Sequence, residues 1–383
     1  MNERDGIVVG GGVIGLSVAW RAAQRGLSMS VVDPLPGRGA SWAASGMLAP
    51  VTEGHPGEYV LLSLNRRAGE AYPRFVEELE ELTGRSPGYR ACGTLVVACD
   101  SDERAALEDL FDLQRSLGLA SERLRGAECR RLEPALTPRV RAGIWVAGDH
   151  QVDNRALVEA LLEACRRTGV EIVPERAVAL RWQGDRVVGV DLGGGEALEG
   201  ASVVLCAGCW TPEIAGLPEG LVPVRPVKGQ LLQLRNPPGM PVLGRSVRGG
   251  GADHVYIVPR SDGRIVVGAT VEEQGFDTRV TAGAVLTLLR GAYDILPGLA
   301  EAELTETVVG LRPGSPDNAP LLGPVGPEGL IAATGHYRNG ILLAPVTADA
   351  IVELLVEGSA PDAIAPFSPQ RFTRAPVEAA AWN

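Results

Sequence analysis

The sequence predicts an α/β fold, in which a Rossmann-type dinucleotide-binding domain is interleaved with an inserted α+β domain built on a largely antiparallel sheet. Strand patterns at 6–9 and 28–32 flank a helical pattern at 13–25, and such βαβ alternation implies a parallel sheet. Residues 222–270 carry successive strand patterns separated by turn signals, which favours antiparallel strands. The 383 residues are too many for one hydrophobic core, so we expect two domains.

Hydrophobic periodicity predicts the remaining elements in chain order. We expect helices at 41–46, 59–83, 101–118, 121–131, 281–294 and 346–357, together with a helix that begins at an Asn154 cap. We expect strands at 92–99, 170–173, 177–181, 186–192, 202–206 and 329–334. Gly and Pro predict loops at 310–318 and 335–340. The nucleotide-binding domain is thus predicted at 1–87, 146–220 and 309–383, and the second, substrate-holding domain at 88–145 and 221–308.

Composition narrows the class of protein. The net charge of −11 gives no electrostatic footprint for nucleic acid or for an anionic membrane. The start MNERDG lacks the basic and long apolar regions of a signal peptide, and no apolar run reaches about 18 residues, so we expect a cytoplasmic protein without a membrane span. The six scattered cysteines fit a reducing compartment. Cys206 and Cys209 have CxxC spacing, but no second pair or nearby histidine accompanies them, so we interpret them as packing residues and predict no metal site.

A glycine fingerprint lies at the first strand-to-helix turn, where Gly10, Gly12 and Gly15 match GxGxxG. Gly10 permits the tight turn, Gly12 lets the backbone approach a pyrophosphate, and Gly15 lets the helix pack on the strand. Phosphates would then lie at the positive end of the helix. Asp33 ends the next strand, where a carboxylate accepts hydrogen bonds from a ribose. An unrelated glycine turn would leave the position of Asp33 unexplained. The long Gly/Ala/Ser loop after the second strand favours FAD over NAD.

Four further motifs carry a resemblance that covers essentially the whole chain. They are AlaSerTrpAlaAlaSerGlyMetLeuAlaPro at 40–50, TyrIleValProArgSerAspGlyArgIleValValGlyAlaThr at 256–270, GlyLeuArgProGlySerProAspAsnAlaPro at 310–320 and GlyHisTyrArgAsnGlyIleLeuLeuAlaPro at 335–345. With these motifs in the same order and at similar spacing, the chain resembles the glycine oxidases of the thiamine pathway, within the D-amino-acid oxidase and sarcosine oxidase family of FAD-dependent enzymes.

The resemblance implies a set of site residues. On the substrate side these are Arg312, which would form a bidentate salt bridge to a substrate carboxylate, with Tyr256, Arg338, Met47 and Val271. With the fingerprint residues, the cofactor set is Gly10, Gly12, Val13, Ile14, Gly15, Asp33, Ser41, Ala44, Gly46, Met47, Leu48, Val178, Ala207, Gly208, Trp210, Arg312, Arg338, Asn339, Gly340, Ile341 and Leu342. A lone arginine is more often a solvated surface charge, and Tyr256 could be a core tyrosine. Only the motif context favours the functional interpretation.

Val271 departs from the family pattern, because the best-known glycine oxidases carry Met after GlyAlaThr. A shorter side chain there predicts a roomier pocket that would accept larger side chains or N-substituted glycines. The implied reaction is a hydride transfer from glycine, sarcosine or a small D-amino acid to N5 of a non-covalently held flavin. It yields an imine, then glyoxylate and ammonia, and oxygen is reduced to hydrogen peroxide. The resemblance also implies a homo-oligomer.

Several alternatives stay open from the sequence alone. One is an oxidase of N-substituted glycines or other secondary amines, or a D-amino acid oxidase, in specialised metabolism. Another is a dehydrogenase that passes electrons to a carrier instead of oxygen. A third is an FAD-binding subunit of a larger complex, which the complete set of motifs disfavours. An NAD-binding protein is the weakest.

Overall fold

The computed structural model describes residues 4–55, 57–239, 243–249 and 255–372. The helices are α1 Val13–Gln24, α2 Gly39–Ala43, α3 Tyr59–Thr83, α4 Ser101–Ser116, α5 Gly126–Leu132, α6 Asn154–Arg167, α7 Ala282–Ile295 and α8 Gly340–Glu357. The strands are β1 Arg4–Val9, β2 Met29–Val32, β3 Met47–Leu48, β4 Thr94–Ala98, β5 Glu122–Arg125, β6 Ala142–Val146, β7 His150–Gln151, β8 Glu171–Val173, β9 Ala177–Gln183, β10 Arg186–Leu192, β11 Ala197–Leu205, β12 Arg225–Arg235, β13 Ser246–Gly249, β14 Tyr256–Pro259, β15 Arg264–Gly268, β16 Glu303–Gly314, β17 Leu321–Pro324 and β18 Leu330–Thr334.

The first sheet has the order β17-β18-β11-β1-β2-β8, and its inner neighbours run parallel. Its central strands are buried on both faces, which explains the apolar residues Ile7, Val8 and Val9 of β1 and Met29, Val31 and Val32 of β2. An antiparallel hairpin of β9 and β10 extends from β11. The predicted βαβ start and parallel sheet are confirmed.

Four helices, α1, α3, α6 and α8, cover one face of this sheet. Their apolar faces form the largest core cluster together with Val8 and Val31 of the sheet. The longest, α3, buries Leu61, Leu64, Ala68, Tyr72 and further residues at the spacing of one helical face. It ends at Gly84, whose φ of 68° lets its N–H return to the carbonyl of Glu80. Of the helices that the structure describes, none is long and apolar enough to cross a bilayer.

The second sheet has the order β16-β12-β15-β14-β13-β4-β6-β5. Adjacent strands in this sheet are antiparallel, except for β13 and β4, which run parallel to each other. Helix α7 packs on this sheet through Leu288, Ala292 and Ile295. The predicted α/β fold class, with parallel and antiparallel sheets drawn from alternating stretches of the chain, is confirmed.

Two predicted elements are wrong. Residues 310–318 were predicted as a loop, but 310–314 complete β16, which pairs with β12 from Arg225↔Gly314 to Arg235↔Glu303. Gly and Pro are accommodated because this strand lies at the edge of the sheet. The predicted helix at 121–131 is also wrong at its start, because 122–125 form the edge strand β5 before α5 begins at Gly126. Long-range pairing overrides the local pattern in both cases.

Helix ends differ as well. The cap of α6 is Asp153, whose carboxylate accepts hydrogen bonds from the N–H groups of Arg155 and Ala156, whereas Asn154 is the first helical residue. Helix α8 begins at Gly340 instead of 346. The predicted domain boundaries at 145/146 and 308/309 fall inside β6 and β16, so the division into domains stays a prediction.

Candidate active site

A cavity of about 670 Å³ is lined by residues from both sheets and from the connections between them. One end meets the turn between β1 and α1, and the other meets β12, β14 and β16. The N-terminus of α8 also lines it. The cavity therefore joins the predicted dinucleotide fingerprint to the predicted substrate residues.

The fingerprint glycines leave room where side chains would clash. Gly10 has φ of 109°, and a Cβ there would lie 2.5 Å from the carbonyl group of Cys206. A Cβ on Gly15 would overlap the carbonyl oxygen of Gly10, so only glycine lets α1 pack this closely on β1. The first turn of α1 holds no acidic residue, and Gly12 caps it without a side-chain hydrogen bond. This cradle fits a phosphate held by backbone N–H groups.

Asp33 lies at the carboxyl end of β2 and lines the cavity. Its Oδ2 accepts a hydrogen bond from Gly11 N–H (2.6 Å) and its Oδ1 accepts one from Leu35 N–H (2.8 Å). These bonds hold the carboxylate next to the glycine turn, where the sequence predicts a ribose partner.

Two arginines that were not predicted as site residues, Arg38 and Arg176, line this end of the cavity. The Arg38 guanidinium lies 3.7 Å from the ring centroid of Trp42, and the Arg155 guanidinium lies 4.5 Å from the same ring. Arg155 is also paired with Glu306, whereas Arg38 lines the cavity beside Trp42.

Helix α2 and its connection to β3 line the cavity and are held by polar side chains. The Oγ of Ser41 accepts a hydrogen bond from Val13 N–H (2.9 Å), which ties α2 to the start of α1. The Nδ2 of Asn154 donates to the carbonyls of Ser41 and Trp42, both at 2.9 Å. This task explains why Asn154 does not cap its helix.

Arg260 clamps the same connection from the second sheet and is 3% exposed. Its Nη1 donates to the carbonyl of Val152 (2.9 Å) and to Gln151 Oε1 (3.0 Å), and its Nη2 donates to the carbonyl of Ser45 (2.6 Å) and to Asn154 Oδ1 (3.1 Å). Burial lowers its pKa to about 10, so the guanidinium stays charged at neutral pH. Arg260 lies within the quoted 256–270 motif, but nothing in the sequence indicated this role.

The N-terminus of α8 points into the cavity through Asn339, Gly340, Ile341 and Leu342. Behind it lies His336, which is 2% exposed and whose Nε2 lies 3.0 Å from Thr347 Oγ1. Burial lowers the pKa of His336 to about 3, so the ring is neutral at physiological pH. The helix end therefore provides N–H groups and a positive dipole beside a neutral side chain, which suits an adjacent anion.

Arg312 lies on β16 and extends across Gly229 of the neighbouring strand β12. Its Nη1 donates to the carbonyl of Thr270 (3.1 Å) and to that of Lys228 (3.4 Å). Within the described ranges, no carboxylate lies at ion-pair distance from Arg312, although most arginines there have such a partner. The guanidinium is thus oriented by carbonyls while its remaining donors face the cavity.

Tyr256 lies on β14 and its ring covers Gly268 of β15, where a Cβ would meet its hydroxyl oxygen at 2.5 Å. Burial raises the pKa of Tyr256, against the opposing effects of the Arg312 charge and of a hydrogen bond with Ser45. The phenol is therefore protonated at neutral pH and can act as a hydrogen-bond donor within range of Arg312.

A chain of charges closes the substrate end of the cavity. Glu53 bridges two arginines, because its Oε1 contacts Arg248 Nη1 and its Oε2 lies 3.3 Å from Arg338 Nε. Arg338 Nη2 also contacts Glu58 Oε2 at 3.0 Å. Burial acts to raise the pKa of Glu53, but Arg248 and Arg338 outweigh it and the pKa is lowered, so the carboxylate stays ionised.

Most of the predicted site residues come together at this cavity. It is lined by Gly10, Gly12, Val13, Ile14, Asp33, Ser41, Ala44, Gly46, Met47, Ala207, Gly208, Trp210, Tyr256, Val271, Arg312, Arg338, Asn339, Gly340, Ile341 and Leu342. Gly15, Leu48 and Val178 do not line it. Gly15 lies beneath the turn, Leu48 is in the core, and Val178 is 38% exposed while its neighbour Ala177 faces the cavity.

Glu53 and Arg248, like Arg38, Arg176, Ala177 and Arg260, were not predicted as site residues, and the two are 195 residues apart along the chain. A usable signal existed for Glu53 and Arg38, which adjoin the 40–50 motif, and for Arg260, which lies inside the 256–270 motif. The glycine cradle, the adjacent carboxylate and the elongated cavity together fit an FAD.

Comparisons with known proteins agree with this geometry. Residues 5–354 match the family DAO, described as FAD dependent oxidoreductase. The chain is 34% identical to the glycine oxidase of Geobacillus kaustophilus over 370 residues, which cover 95% of this chain and 96% of that protein. A crystal structure of glycine oxidase from the same organism superposes with a TM-score of 0.89 at 32% identity, covering 96% of this chain and 98% of that one.

A third relative is the bifunctional protein ThiO/ThiG of Trichormus variabilis, 37% identical over 374 residues. This alignment covers 97% of the present chain but 55% of that protein, so the chain spans about half the length of its bifunctional relatives. The matched family, the glycine oxidase relatives and the cradle for a dinucleotide agree, and the chain belongs to the DAO family of FAD-dependent oxidoreductases.

Proposed function

We propose that this protein is an oxidase of glycine that also accepts sarcosine and small D-amino acids. Glycine would be converted to an imine, then glyoxylate and ammonia, and oxygen to hydrogen peroxide. The observation that carries the proposal is Arg312, a cavity-lining guanidinium oriented by two carbonyls and without a carboxylate partner among the described residues. Such a fork donor suits the carboxylate of a small amino acid.

The residues of the chain would bind and orient the reactants. When bound, FAD supplies a flavin that takes up a hydride and is reoxidised by oxygen. Gly10, Gly12 and Asp33 would hold its adenosine and phosphate end, and the N-terminus of α8 would lie at its ring. Arg312 would anchor the substrate carboxylate, and the Tyr256 hydroxyl would donate a further hydrogen bond to it. Since no acid–base group is needed in this scheme, the protein contributes proximity, orientation and exclusion of water.

The test is peroxide release in air by the purified protein with glycine, sarcosine, D-alanine and D-proline, compared with an Arg312→Ala variant. Loss of a bidentate carboxylate anchor is expected to lower kcat/KM by about 100-fold to 1,000-fold, that is, about 3–4 kcal/mol. Arg290→Ala, on the exposed part of α7, is the matched control and should retain activity. Glycine turnover that survives Arg312→Ala would refute the anchor. Substrate reduction of the flavin without peroxide would indicate a dehydrogenase.

A second candidate function is oxidation of an N-substituted glycine or another secondary amine, or of larger D-amino acids. It is favoured by Val271, which lines the cavity and is 65% exposed, so the wall is short at that point. Higher kcat/KM for sarcosine or D-proline than for glycine would support it. Val271→Met, which restores the residue typical of the family, should then shift the preference toward glycine.

Similarity to ThiO/ThiG supports a role in thiamine thiazole synthesis, which we include in the proposal. We also propose that FAD is held without a covalent bond and that the protein is a homo-oligomer. Cys206 lines the cavity, but burial raises the pKa of its thiol well above the usual range, so it is a poor nucleophile. Acid precipitation should release the flavin into the supernatant, and size-exclusion chromatography with light scattering gives the oligomeric state.

A further inference from the structure

The substrate end of the cavity contains an anion-binding site that the protein fills with its own carboxylate. We propose that Glu53 occupies this site, which is formed by Arg248 and Arg338, and thereby excludes amine substrates that carry a second carboxylate. The inference rests on the proposed function, because it assumes that a first substrate carboxylate binds at Arg312.

Two arginines converge on one carboxylate here. Arg248 contacts one oxygen of Glu53 and Arg338 Nε lies 3.3 Å from the other, so the pair grips a carboxylate from two directions. All three residues line the cavity, and the side chain of Glu53 is only 14% exposed. Two guanidiniums around one carboxylate are the arrangement expected of a site for a carboxylate ligand.

Tyr256 is close both to this site and to Arg312. It is the cross-strand neighbour of Arg248, it is within electrostatic range of Arg312, Glu53 and Arg248, and all four residues line one cavity. The far end of a substrate that is anchored at Arg312 and longer than glycine would therefore come close to Glu53. A second carboxylate at that point would meet the negative charge of Glu53, and like charges in a partly desolvated site repel each other strongly.

The site is held in place without help from the Glu53 side chain. Asp149 fixes the turn before Glu53, since its carboxylate accepts hydrogen bonds from Val51 N–H (3.1 Å), Thr52 N–H (2.7 Å) and Thr52 Oγ1 (2.6 Å). Arg248 belongs to β13, which is paired on both sides with β14 and β4. The turn that carries Arg338 is fixed by Tyr337 N–H, which donates to the carbonyl of Pro313 (2.9 Å). Neutralising Glu53 should therefore leave the two arginines near their positions.

Charge balance explains why the wild-type site is closed to anions. Arg248 and Arg338 are matched by Glu53 and Glu58, so the four groups are neutral together. In Glu53→Gln, Arg248 loses its partner and Arg338 keeps only Glu58. The site then gains one net positive charge and an unpaired guanidinium that faces the cavity, which favours a carboxylate from the substrate.

The experiment compares iminodiacetate, an N-substituted glycine with two carboxylates, with glycine. In Glu53→Gln the ratio of kcat/KM for iminodiacetate to that for glycine should rise about tenfold or more over wild type. Adding Arg248→Gln to this variant should cancel the gain. Glu328→Gln, which removes one surface charge beside Arg186 on the nucleotide-binding side, is the charge-matched control and should leave the ratio unchanged.

A second measurement does not depend on turnover. Perturbation of the bound flavin absorbance by acetate, malonate, succinate and glutarate gives dissociation constants for unreactive acids. Glu53→Gln should tighten at least one diacid by about tenfold while acetate changes by less than about twofold. If Glu53→Gln retains no flavin, Glu53→Ala, which removes the same charge, takes its place and should show a shift of the same sign. Glu53→Asp, which keeps the charge, should show none.

The outcomes separate this inference from the proposed function. No peroxide with any small amine would remove the proposed function, whereas the diacid titrations would still test Glu53. An unchanged ratio together with unchanged diacid binding in Glu53→Gln would overturn the inference while leaving glycine oxidation intact. Equal gains in Glu328→Gln would also overturn it, because overall charge would then be the cause.

Discussion

At the scale of single residues, Gly229 controls the position of Arg312. The guanidinium lies directly over this glycine, and an added Cβ would meet Arg312 Nη2 at 2.6 Å. The atoms it would meet are the far end of a flexible side chain, so Gly229→Ala should displace Arg312 at little cost in folding free energy. We expect a fall of about tenfold or more in kcat/KM for glycine, mainly through KM, with a change in melting temperature of only a few degrees.

Gly283→Ala is the matched control, because a Cβ there meets nothing within 4 Å and the residue lies in α7. It should keep full activity and gain slightly in helix stability. If Gly229→Ala retained the wild-type KM, the orientation of Arg312 over this glycine would not matter for substrate binding. The steady-state parameters of the two variants therefore isolate the position of one guanidinium from general stability.

Site residues could be predicted from the sequence where they belong to one local motif. Gly10, Gly12 and Asp33 lie within one βαβ unit, so their spacing alone predicts that they meet. Arg248 and Arg260 could not be found in this way. The partner of Arg248 lies 195 residues away along the chain. The partners of Arg260 lie 106–109 residues away, except for Ser45, which lies 215 residues away. A basic residue on a strand looks like a solvated charge until the partner strand or loop is known.

At the scale of elements, Arg260 links three segments of the chain. It lies in the turn that follows β14, and it binds residues around the start of α6 and the connection before β3. Its four hydrogen bonds satisfy the carbonyls of Ser45 and Val152 and the side chains of Gln151 and Asn154. Arg260→Met would fill part of the volume but leave these acceptors unsatisfied in a buried place. We expect a loss of about 2–4 kcal/mol in the free energy of unfolding, and weaker retention of FAD.

Chemical denaturation and flavin fluorescence after dilution measure the two effects. Arg123→Met removes an exposed arginine of β5 that pairs with Glu108, and it should cost no more than about 1 kcal/mol. Equal stability of the Arg260→Met and Arg123→Met proteins would show that the clamp contributes nothing. A loss of stability without loss of FAD would restrict Arg260 to a folding role.

Elements were predictable where the pattern was periodic and local. The amphipathic helix α3 was predicted at its observed bounds, because apolar residues recur on one face and Gly84 ends it. The strand β16 was missed because its last residues, including Pro313 and Gly314, have low strand propensity, and eleven cross-strand pairs with β12 outweigh that propensity. Pairing between positions about 80 residues apart is not visible in a local pattern.

At the scale of the whole molecule, the cavity is assembled where two sheets of different type meet. The parallel sheet supplies the glycine turn and Asp33, the antiparallel sheet supplies Tyr256 and Arg312, and the connections supply Glu53 and the N-terminus of α8. The strand patterns predicted both kinds of sheet, and the family resemblance predicted many of the residues that line the cavity. It did not predict how the connections are secured, since this depends on buried polar groups such as Asp149.

Asp149 makes the stability of the whole protein depend on pH in an unusual direction. Its side chain is fully buried, and burial raises its pKa to about 6, against the opposing effect of its hydrogen bonds with Thr52 and Val51 and of the Arg248 charge. The unfolded chain has the ordinary aspartate pKa of 3.8. Because the folded state binds this proton more tightly, the contribution of Asp149 becomes more favourable as pH falls from above 6 to below 4, by about 3 kcal/mol.

Asp149→Asn should therefore remove one component of the pH dependence. The difference in unfolding free energy between wild type and variant should change by about 2–3 kcal/mol between about pH 7 and pH 4, and wild type should gain at the acid end. Glu53 and other carboxylates with lowered pKa act in the opposite direction, but they are present in both proteins and cancel in the difference. Urea denaturation at several pH values gives this difference directly. If this difference in unfolding free energy stayed constant with pH, the pKa of Asp149 would be the same in the folded and unfolded chain. The turn that carries Glu53 would then be held equally well by a charged and by a neutral Asp149 carboxyl.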